Sequence, residues 1–284
     1  MKIETFHFEN QDLSLCTNHS LFYHSQKDYK KKLKKNTKDL KIIQEKLYAH
    51  DRHSVLVIFQ AMDAAGKDST IEHVFSGLSP IGLSVKSFKK PNSQELDHDY
   101  LWRTTKALPP RGEITIFNRS YYEEVLVTKV HPEIIKNYQK LPSTTTQNLS
   151  ILFSQRYTDI LNFESFLNNN GTKIIKFFLN VSKKEQKERF KRRISLEEKH
   201  WKFSYKDLEE SALWPKYMSA YKSCLEKTHT QSNPWYVIPA DDKKNMRLIV
   251  SNIILEELKT LPIHYPQLTK PDKDLLAKAR KELL

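Results

Sequence analysis

Residues 54–70 read SVLVIFQAMDAAGKDST, an apolar run rich in β-branched side chains that stops at a turn ending in Gly66 and Lys67. From Ser54 to Phe59 the hydrophobicity is continuous, as in a strand buried on both faces of a parallel sheet, and from Asp68 to Phe75 the chain reads as the start of a helix. Between them lies a candidate phosphate-binding loop, in which backbone N–H groups at a helix N-terminus surround phosphate oxygens and a lysine offsets their charge. Against the pattern G-x-x-x-x-G-K-[ST], Ala61 replaces the first glycine, Asp68 follows the lysine, and hydroxyls arrive only at Ser69 and Thr70. The whole chain has five glycines, one of them directly before this lysine. A phosphate loop is therefore expected in preference to a plain strand-to-helix turn, with Ala64, Ala65, Gly66, Lys67, Asp68, Ser69 and Thr70 as its binding residues. Asp63 lies inside the same turn. A carboxylate there repels phosphate unless a cation intervenes; the alternative is a cap on the helix that follows.

Working outward, strand and helix signals alternate. Ser84 to Phe88, Glu113 to Phe117, Lys173 to Val181 and Trp235 to Pro239 read as further strands, which predicts a doubly wound parallel α/β sheet. Directly after the third strand come Asn118, Arg119, Ser120, Tyr121, Tyr122, Glu123 and Glu124. Ligands bind outside the carboxyl ends of such strands, so this polar burst is expected beside the loop. A strand-end acid usually helps to hold magnesium in phosphate-loop enzymes; with Asn118 in that position, the metal role falls to Asp63, to Glu123 or to the phosphates. The stretch before it, SFKKPNSQELDHDYLWRTTKALPPRGE, predicts a helix carrying Leu96, Tyr100, Leu101 and Trp102, with Arg103 either a surface arginine or a ligand contact. A long helix is expected from about Thr146 to Asn168.

From Lys183 to Arg193 seven of eleven residues are basic, and helical spacing brings Arg189, Arg192 and Arg193 within about one turn of each other. Planar guanidinium forks suit phosphate oxygens. Together with the aromatic and charged segment up to Tyr217, this insertion between the fourth and fifth strands has the position of a lid, over roughly residues 184–217, that excludes water from a transferring phosphoryl. Upstream, Tyr29, Leu33, Leu40, Ile43 and Leu47 recur at helical spacing, while Lys30, Lys31, Lys32, Lys34, Lys35, Lys38 and Lys41 cover the other faces. The exposed side of this basic helix either contacts a polyanion or is simply solvated. Residues 1–26 lack periodicity and read as an arm free to pack on a neighbour.

With 284 residues, 38% hydrophobic and 29% charged, the chain has the size and composition of one large α/β domain with short flanks. The expected organisation is an arm and basic helix over 1–50, the core over 51–262 and a C-terminal helix over 263–284. A net charge of +13 favours a polyanionic partner without choosing among nucleic acid, an acidic membrane surface and a phosphate polymer. Cys16 and Cys224 belong to no ligand-spaced cluster, which argues against a disulfide framework or a zinc site and for a reducing cytosol. No stretch has the length and apolarity of a signal peptide or a membrane span.

QAMDAAGKDST, SFKKPNSQELDHDYLWR, IFNRSYYEEVLVTKVHPE, SKKEQKERFKRR, and WKFSYKDLEE followed by NPWYVIPADDK resemble, in order, the successive blocks of the family-2 polyphosphate kinases, from roughly Leu40 to Leu258. The resemblance implies a P-loop kinase-like three-layer α/β/α fold with a parallel sheet of about five strands and a helical lid. It also implies reversible Mg2+-dependent phosphoryl transfer between inorganic polyphosphate and adenine or guanine nucleotides, in a cytoplasmic homodimer or homotetramer with no nucleic-acid or membrane partner. Catalytic roles are implied for Asp63, Lys67, Arg119, Arg189 and Arg193, nucleotide contacts for Arg103, Asn118, Arg119, Glu123 and Lys129, and metal contacts for Asp63 and Glu123. Asn118 followed by Glu123 is similar to the branch that accepts both nucleoside mono- and diphosphates. Ser211 departs from the pattern, standing where many relatives have a lid arginine. An ATP-dependent nucleotide kinase would share the fold but would not require so basic a surface. A nucleic-acid-binding protein accounts for the charge but not for the loop, Asp63 and the lid, and a non-catalytic polyphosphate-binding module would hold the polymer without turnover.

Overall fold

The structure, a computed structural model, describes residues 1–283. Ser54–Ala61 (β1) is buried along its whole length, as its unbroken apolar run requires, and forms the centre of the sheet. Leu83–Ser87 (β2), Ile114–Asn118 (β3), Thr172–Asn180 (β4) and Trp235–Pro239 (β5) complete a five-stranded parallel sheet in the order β2-β3-β1-β4-β5. Parallel neighbours need crossover connections, which cover both faces of the sheet with helices. In chain order the helices are Gln26–His50 (α1), Lys67–Phe75 (α2), Ser93–Leu96 (α3), Trp102–Thr105 (α4), Glu123–Val130 (α5), Glu133–Asn137 (α6), Ser143–Thr146 (α7), Leu149–Asn169 (α8), Lys183–Ser195 (α9), Tyr205–Ala212 (α10), Trp214–Thr228 (α11), Lys243–Lys259 (α12) and Lys270–Leu283 (α13). Helices α1, α2 and α12 pack together in one layer, and α5, α8 and α11 in the other. The result is the expected three-layer α/β/α arrangement.

Local side-chain chemistry sets the boundaries where the pattern alone does not. The helix expected around Leu96 to Trp102 is two short turns. Asn92 closes a capping box on α3, and the Asp99 carboxylate accepts from the N–H groups of Leu101 and Trp102 to start α4 afresh. Likewise Asn148 accepts from Ser150 and Ile151 and begins α8 after a break, where one helix from Thr146 is expected. The aromatic part of the lid is helical, made of a 3-10 turn over Glu197–Lys202, then α10 and the start of α11. The N-terminal arm packs on its own chain: Phe6, Phe8 and Leu13 are buried in the main core, and His7 forms an antiparallel bridge to Tyr236 of β5.

β4 carries a lysine in the core of the sheet. Lys176 is fully buried, and its ammonium donates to Glu164 Oε2 at 2.8 Å, to Thr228 O at 2.8 Å and to the Tyr122 hydroxyl at 3.1 Å. The other Glu164 oxygen accepts from the hydroxyls of Tyr121 and Tyr122. Burial pushes the lysine pKa down and the glutamate charge opposes it. This ion pair ties α8 and β4 to the two tyrosines that precede α5. Lys176→Met, which strands the Glu164 charge, is expected to cost about 3–5 kcal/mol in chemical denaturation. Adding Glu164→Gln, which removes that charge and keeps an acceptor for the tyrosines, should recover part of the loss; no recovery in the double variant would mean that the pair is not coupled.

Candidate active site

β1 and β3 are neighbours with Phe59 level with Asn118, so the turn after β1 and the polar burst after β3 emerge side by side. In the turn, Ala64 (φ 61°) and Gly66 (φ 105°) are left-handed. Gly66 adopts this conformation without strain, and a Cβ there would approach Met246 to 3.4 Å and Arg189 to 3.6 Å. Among the described residues, the N–H groups of Ala64, Gly66 and Lys67 have no acceptor, the arrangement an anion-binding turn needs. The hydroxyls of Ser69 and Thr70 both donate to Gly66 O and so close the first turn of α2. Lys67 is buried and donates to Ala61 O at 2.9 Å. Burial pushes its pKa below the ordinary 10.5, Arg119 adds to the shift, and the carboxylates of Asp63, Glu123 and Asp68 oppose it.

Arg119 is itself left-handed (φ 65°), a strained state for a side chain with a Cβ. Its N–H donates to Phe59 O and its Nη2 to Asp63 Oδ1 at 2.9 Å. Asp63 is thus half of an ion pair across the two loops. The alternative of a helix cap is set aside, because α2 has no side-chain cap. The Glu123 charge, followed by that of Asp63, holds the Arg119 guanidinium firmly protonated against burial. Glu123 in turn is raised above its ordinary 4.5 by burial, with Arg119 and Lys67 pulling it back. Asn118 Nδ2 donates to Asp68 Oδ1 at 2.6 Å. The acid that phosphate-loop enzymes commonly carry at the end of this strand and the hydroxyl residue after the lysine have both been replaced, and the carboxylate now sits on the helix with an amide facing it.

The two lid arginines differ. Arg189 is buried, and each of its five N–H donors has an oxygen: Nε to Glu185, Nη1 to Ala64 O and Ala65 O, and Nη2 to Ala240 O and Asp241 O. It clamps the backbone of the loop to the end of β5. Arg193 instead donates to Asp207 Oδ2 on α10 at 2.9 Å, and Asp207 lies within electrostatic reach of Asp63 and Arg119. Ser211, the departure from the lid pattern, donates to Gln186 Oε1 at 2.7 Å, while Gln186 Nε2 donates to Asp63 O at 2.9 Å. The serine therefore completes a hydrogen-bonded chain from α10 through α9 to the loop. Neither Asp207 nor Gln186 stood out in the sequence.

Asp63, Arg119 and Glu123 line one cleft of about 580 Å³, with Arg103, Phe88, Tyr100, Tyr138 and Tyr217 among its walls. Arg103 lies over the Phe88 ring and donates to Lys89 O, so it faces the cleft and is not a plain surface arginine. Lys129 is not among the residues lining this cleft; its ammonium lies over the Tyr157 ring, 5.8 Å from the centroid. Buried Arg156, also unforeseen, donates to Glu124 and Gln139 and fixes α5 and the segment after α6 against α8. Among the described residues no three carboxylates, imidazoles or thiols gather closely enough to hold a metal alone.

The polyphosphate kinase 2 family model matches residues 23–265. The chain belongs to the polyphosphate kinase 2 family. It is 48% identical to an ADP-polyphosphate phosphotransferase of Rhodopseudomonas palustris, with 100% of both chains covered, and 46% identical to an AMP/ADP-polyphosphate phosphotransferase of Meiothermus ruber over 80% of each. Polyphosphate kinase 2 from Arthrobacter aurescens TC1 superposes with a TM-score of 0.79 at 36% identity, covering 90% of this chain and 88% of that one.

Two predictions follow from the geometry. Arg189→Ala leaves five oxygens without donors and is expected to cost about 3 kcal/mol or more in stability together with activity; Arg193→Ala should lower kcat while changing stability by about 1 kcal/mol or less. Equal stability losses in denaturation would remove the distinction. The second prediction concerns pH. Protonation of Glu123 places the acid limb of kcat/KM above the ordinary carboxylate range, and deprotonation of Lys67 places the alkaline limb below the ordinary lysine range. Glu123→Gln should abolish the acid limb, and a variant keeping the wild-type profile would exclude Glu123 as its source.

Proposed function

We propose that the protein transfers phosphoryl groups reversibly between inorganic polyphosphate and nucleoside mono- and diphosphates, taking AMP to ADP and ADP to ATP. The observation that carries this reading is the Asp63–Arg119 ion pair at the mouth of the phosphate loop, which joins the loop to a cleft with aromatic walls and the right size for a nucleotide. The curated relatives act, by name, on ADP-polyphosphate or AMP/ADP-polyphosphate. Phosphoryl transfer of this kind needs no side-chain nucleophile. It needs donor and acceptor held in line and cations around the equatorial oxygens, roles that fall to the loop N–H groups, Lys67, Arg119 and Arg193. Arg189 acts one step back, by fixing the loop.

The reading includes Mg2+. Mg2+ takes one or two carboxylates and completes its shell with phosphate and water oxygens, so a site with Asp63, Glu123 and Asp68 near the loop, and no closed protein cage, has a fitting donor set. Asp63 and Glu123 would hold the ion, which would supply positive charge to offset that of the phosphate oxygens. The Asn118–Asp68 pair supports use of two acceptors: the strand end carries a neutral amide and the carboxylate sits on α2, bonded to that amide, so the strand end itself sets no charge against the acceptor, which can place either its α- or its β-phosphate in line. The reading extends to adenine and guanine nucleotides, to assembly as a homodimer or homotetramer, and to the cytoplasm. Among the described residues no helix is long and apolar enough to cross a membrane.

The test is a matrix of donors, polyphosphate or ATP, against acceptors, AMP, ADP, GMP or GDP, with and without Mg2+. AMP with polyphosphate should give ADP first and ATP later without added adenylate kinase. ADP that accumulates and goes no further, or AMP left untouched, would limit the reading to a single acceptor. Lys67→Ala should lower turnover by about two to three orders of magnitude with the fold intact by circular dichroism.

A further inference from the structure

His131 stands at the end of α5 with an acidic residue at each ring nitrogen: Nδ1 lies 3.1 Å from Glu133 Oε1 of α6, and Nε2 lies 2.8 Å from Glu210 Oε2 of α10. A carboxylate only accepts, so each contact is made by a protonated nitrogen; the neutral ring can make either one and the doubly protonated ring both. Glu210 Oε2 also accepts from the Tyr217 hydroxyl of α11 at 2.6 Å. The phosphoryl transfer described above makes no use of this histidine, although it lines the same cleft as Asp63, Arg119 and Glu123.

The contact matters because of the helix it reaches. α10 reads YKDLEESA and buries no residue, so apolar packing does not seat it. Of the hydrogen bonds of its side chains, that of Asp207 goes to Arg193 and that of Ser211 to Gln186, both on α9, while the Tyr217 that donates to Glu210 belongs to the helix that follows. All three stay within the lid insertion. Among the described residues, the His131–Glu210 contact is the one hydrogen bond of these side chains that leaves the lid for the body of the protein.

Asp207 and Glu210 are three positions apart and share a helix face. Where Glu210 is held therefore sets where Asp207 stands, and with it the Arg193 fork that Asp207 accepts from. The helix is also acidic, with carboxylates at Asp207, Glu209 and Glu210, and a polyanionic donor and acceptor repel such a helix from the cleft. Arg193 offsets Asp207, but in the functional reading above it turns to the transferring phosphoryl. His131 has no such second task.

We propose that His131 is a positioning residue of the lid: by donating to Glu210 it holds α10 against the end of α5, keeps the Asp207–Arg193 pair beside the phosphate loop and excludes water while the phosphoryl moves. This rests on the functional reading above. Without the contact α10 is free to leave the cleft, and water competes with the nucleotide for the terminal phosphoryl. In that side reaction the water oxygen bonds to the terminal phosphorus, the bridging P–O bond breaks and the shortened polymer keeps the bridging oxygen. The proton passes to solvent, and orthophosphate is released.

The test takes the full-length wild type, His131→Ala, Glu210→Ala and the double variant with polyphosphate, ADP and Mg2+, and reads kcat, the KM for ADP and the orthophosphate released per ATP formed. The expected result is a fall of about ten-fold or more in kcat for each single variant, with the KM for ADP changed by less than about three-fold. Orthophosphate per ATP should rise about three-fold or more, and the double variant should be no slower than the slower single, since both remove one contact. Amide hydrogen exchange over α10 should quicken by about ten-fold or more in both single variants while β1 and β4 keep their protection. An ADP KM that rises with kcat intact would make His131 a nucleotide contact, and additive losses in the double variant would separate the two residues. Unchanged exchange over α10 would mean that the helix is held by other contacts, and lost protection in β1 and β4 would make His131 a residue of the fold alone. Each of these four results overturns the proposal. Absence of turnover in the wild type removes the functional reading itself, and hydrogen exchange then still decides whether His131 holds α10.

Discussion

A guanidinium has five N–H donors in one plane, and Arg189 has an oxygen for each of them. Two of those oxygens belong to the loop after β1 and two to the chain after β5, and the fifth is on its own helix. The loop cannot hold itself: Ala64 and Gly66 are left-handed, and several of its N–H groups point away from any protein acceptor. A backbone shaped in this way needs its carbonyls tied from behind. Because Arg189 is desolvated, each of its charge-assisted bonds is stronger than a solvated one, and losing any partner is correspondingly costly.

Around that frame, charges of both signs are placed so that none is left alone. Lys67, Arg119 and Glu123 influence one another's protonation, the Asp63 and Asp68 carboxylates support the charge of Lys67, and burial acts against the charges of Lys67, Arg119 and Glu123. The balance keeps acids and bases charged within a compact volume, which is what a site for polyanions and a divalent cation requires. Strain is concentrated in the same place, at Arg119 and Ala64. The buried Lys176–Glu164 pair lies below, bonded to the tyrosines just ahead of Glu123, so the position of that carboxylate depends on a network in the core.

Much of this was legible in the sequence, for a physical reason: a strand buried on both faces must be continuously apolar, and only a few residue types can follow it in a phosphate-binding turn. The five strands and the loop are where those rules place them. What escaped depends on contacts between distant residues. Asn118 and Asp68 are 50 positions apart, and nothing local says that one donates to the other. Arg189 and Arg193 are the same residue type one helical turn apart, and only burial separates a clamp from a lid contact. Lys129 follows the polar burst closely, and only the turn of α5 sets its ammonium over Tyr157. The two short turns near Trp102 read as one helix because their apolar spacing is helical, while Asn92 and Asp99 bond to the backbone and interrupt it.

The two edges of the sheet are unlike each other. At β5, the N-terminal arm lays His7 against Tyr236 and donates from Phe8 to Trp235 O, so that edge is already occupied. At β2 the strand is only five residues long, has no fully buried position, and carries Lys86. Short, charged or covered edges are poor templates for a strand from another molecule. That matters for a protein of this charge, because a long polyanion gathers many copies along one thread and raises their local concentration. With its edges blocked by an arm at one side and by brevity and charge at the other, the protein can be crowded in this way without its sheets joining.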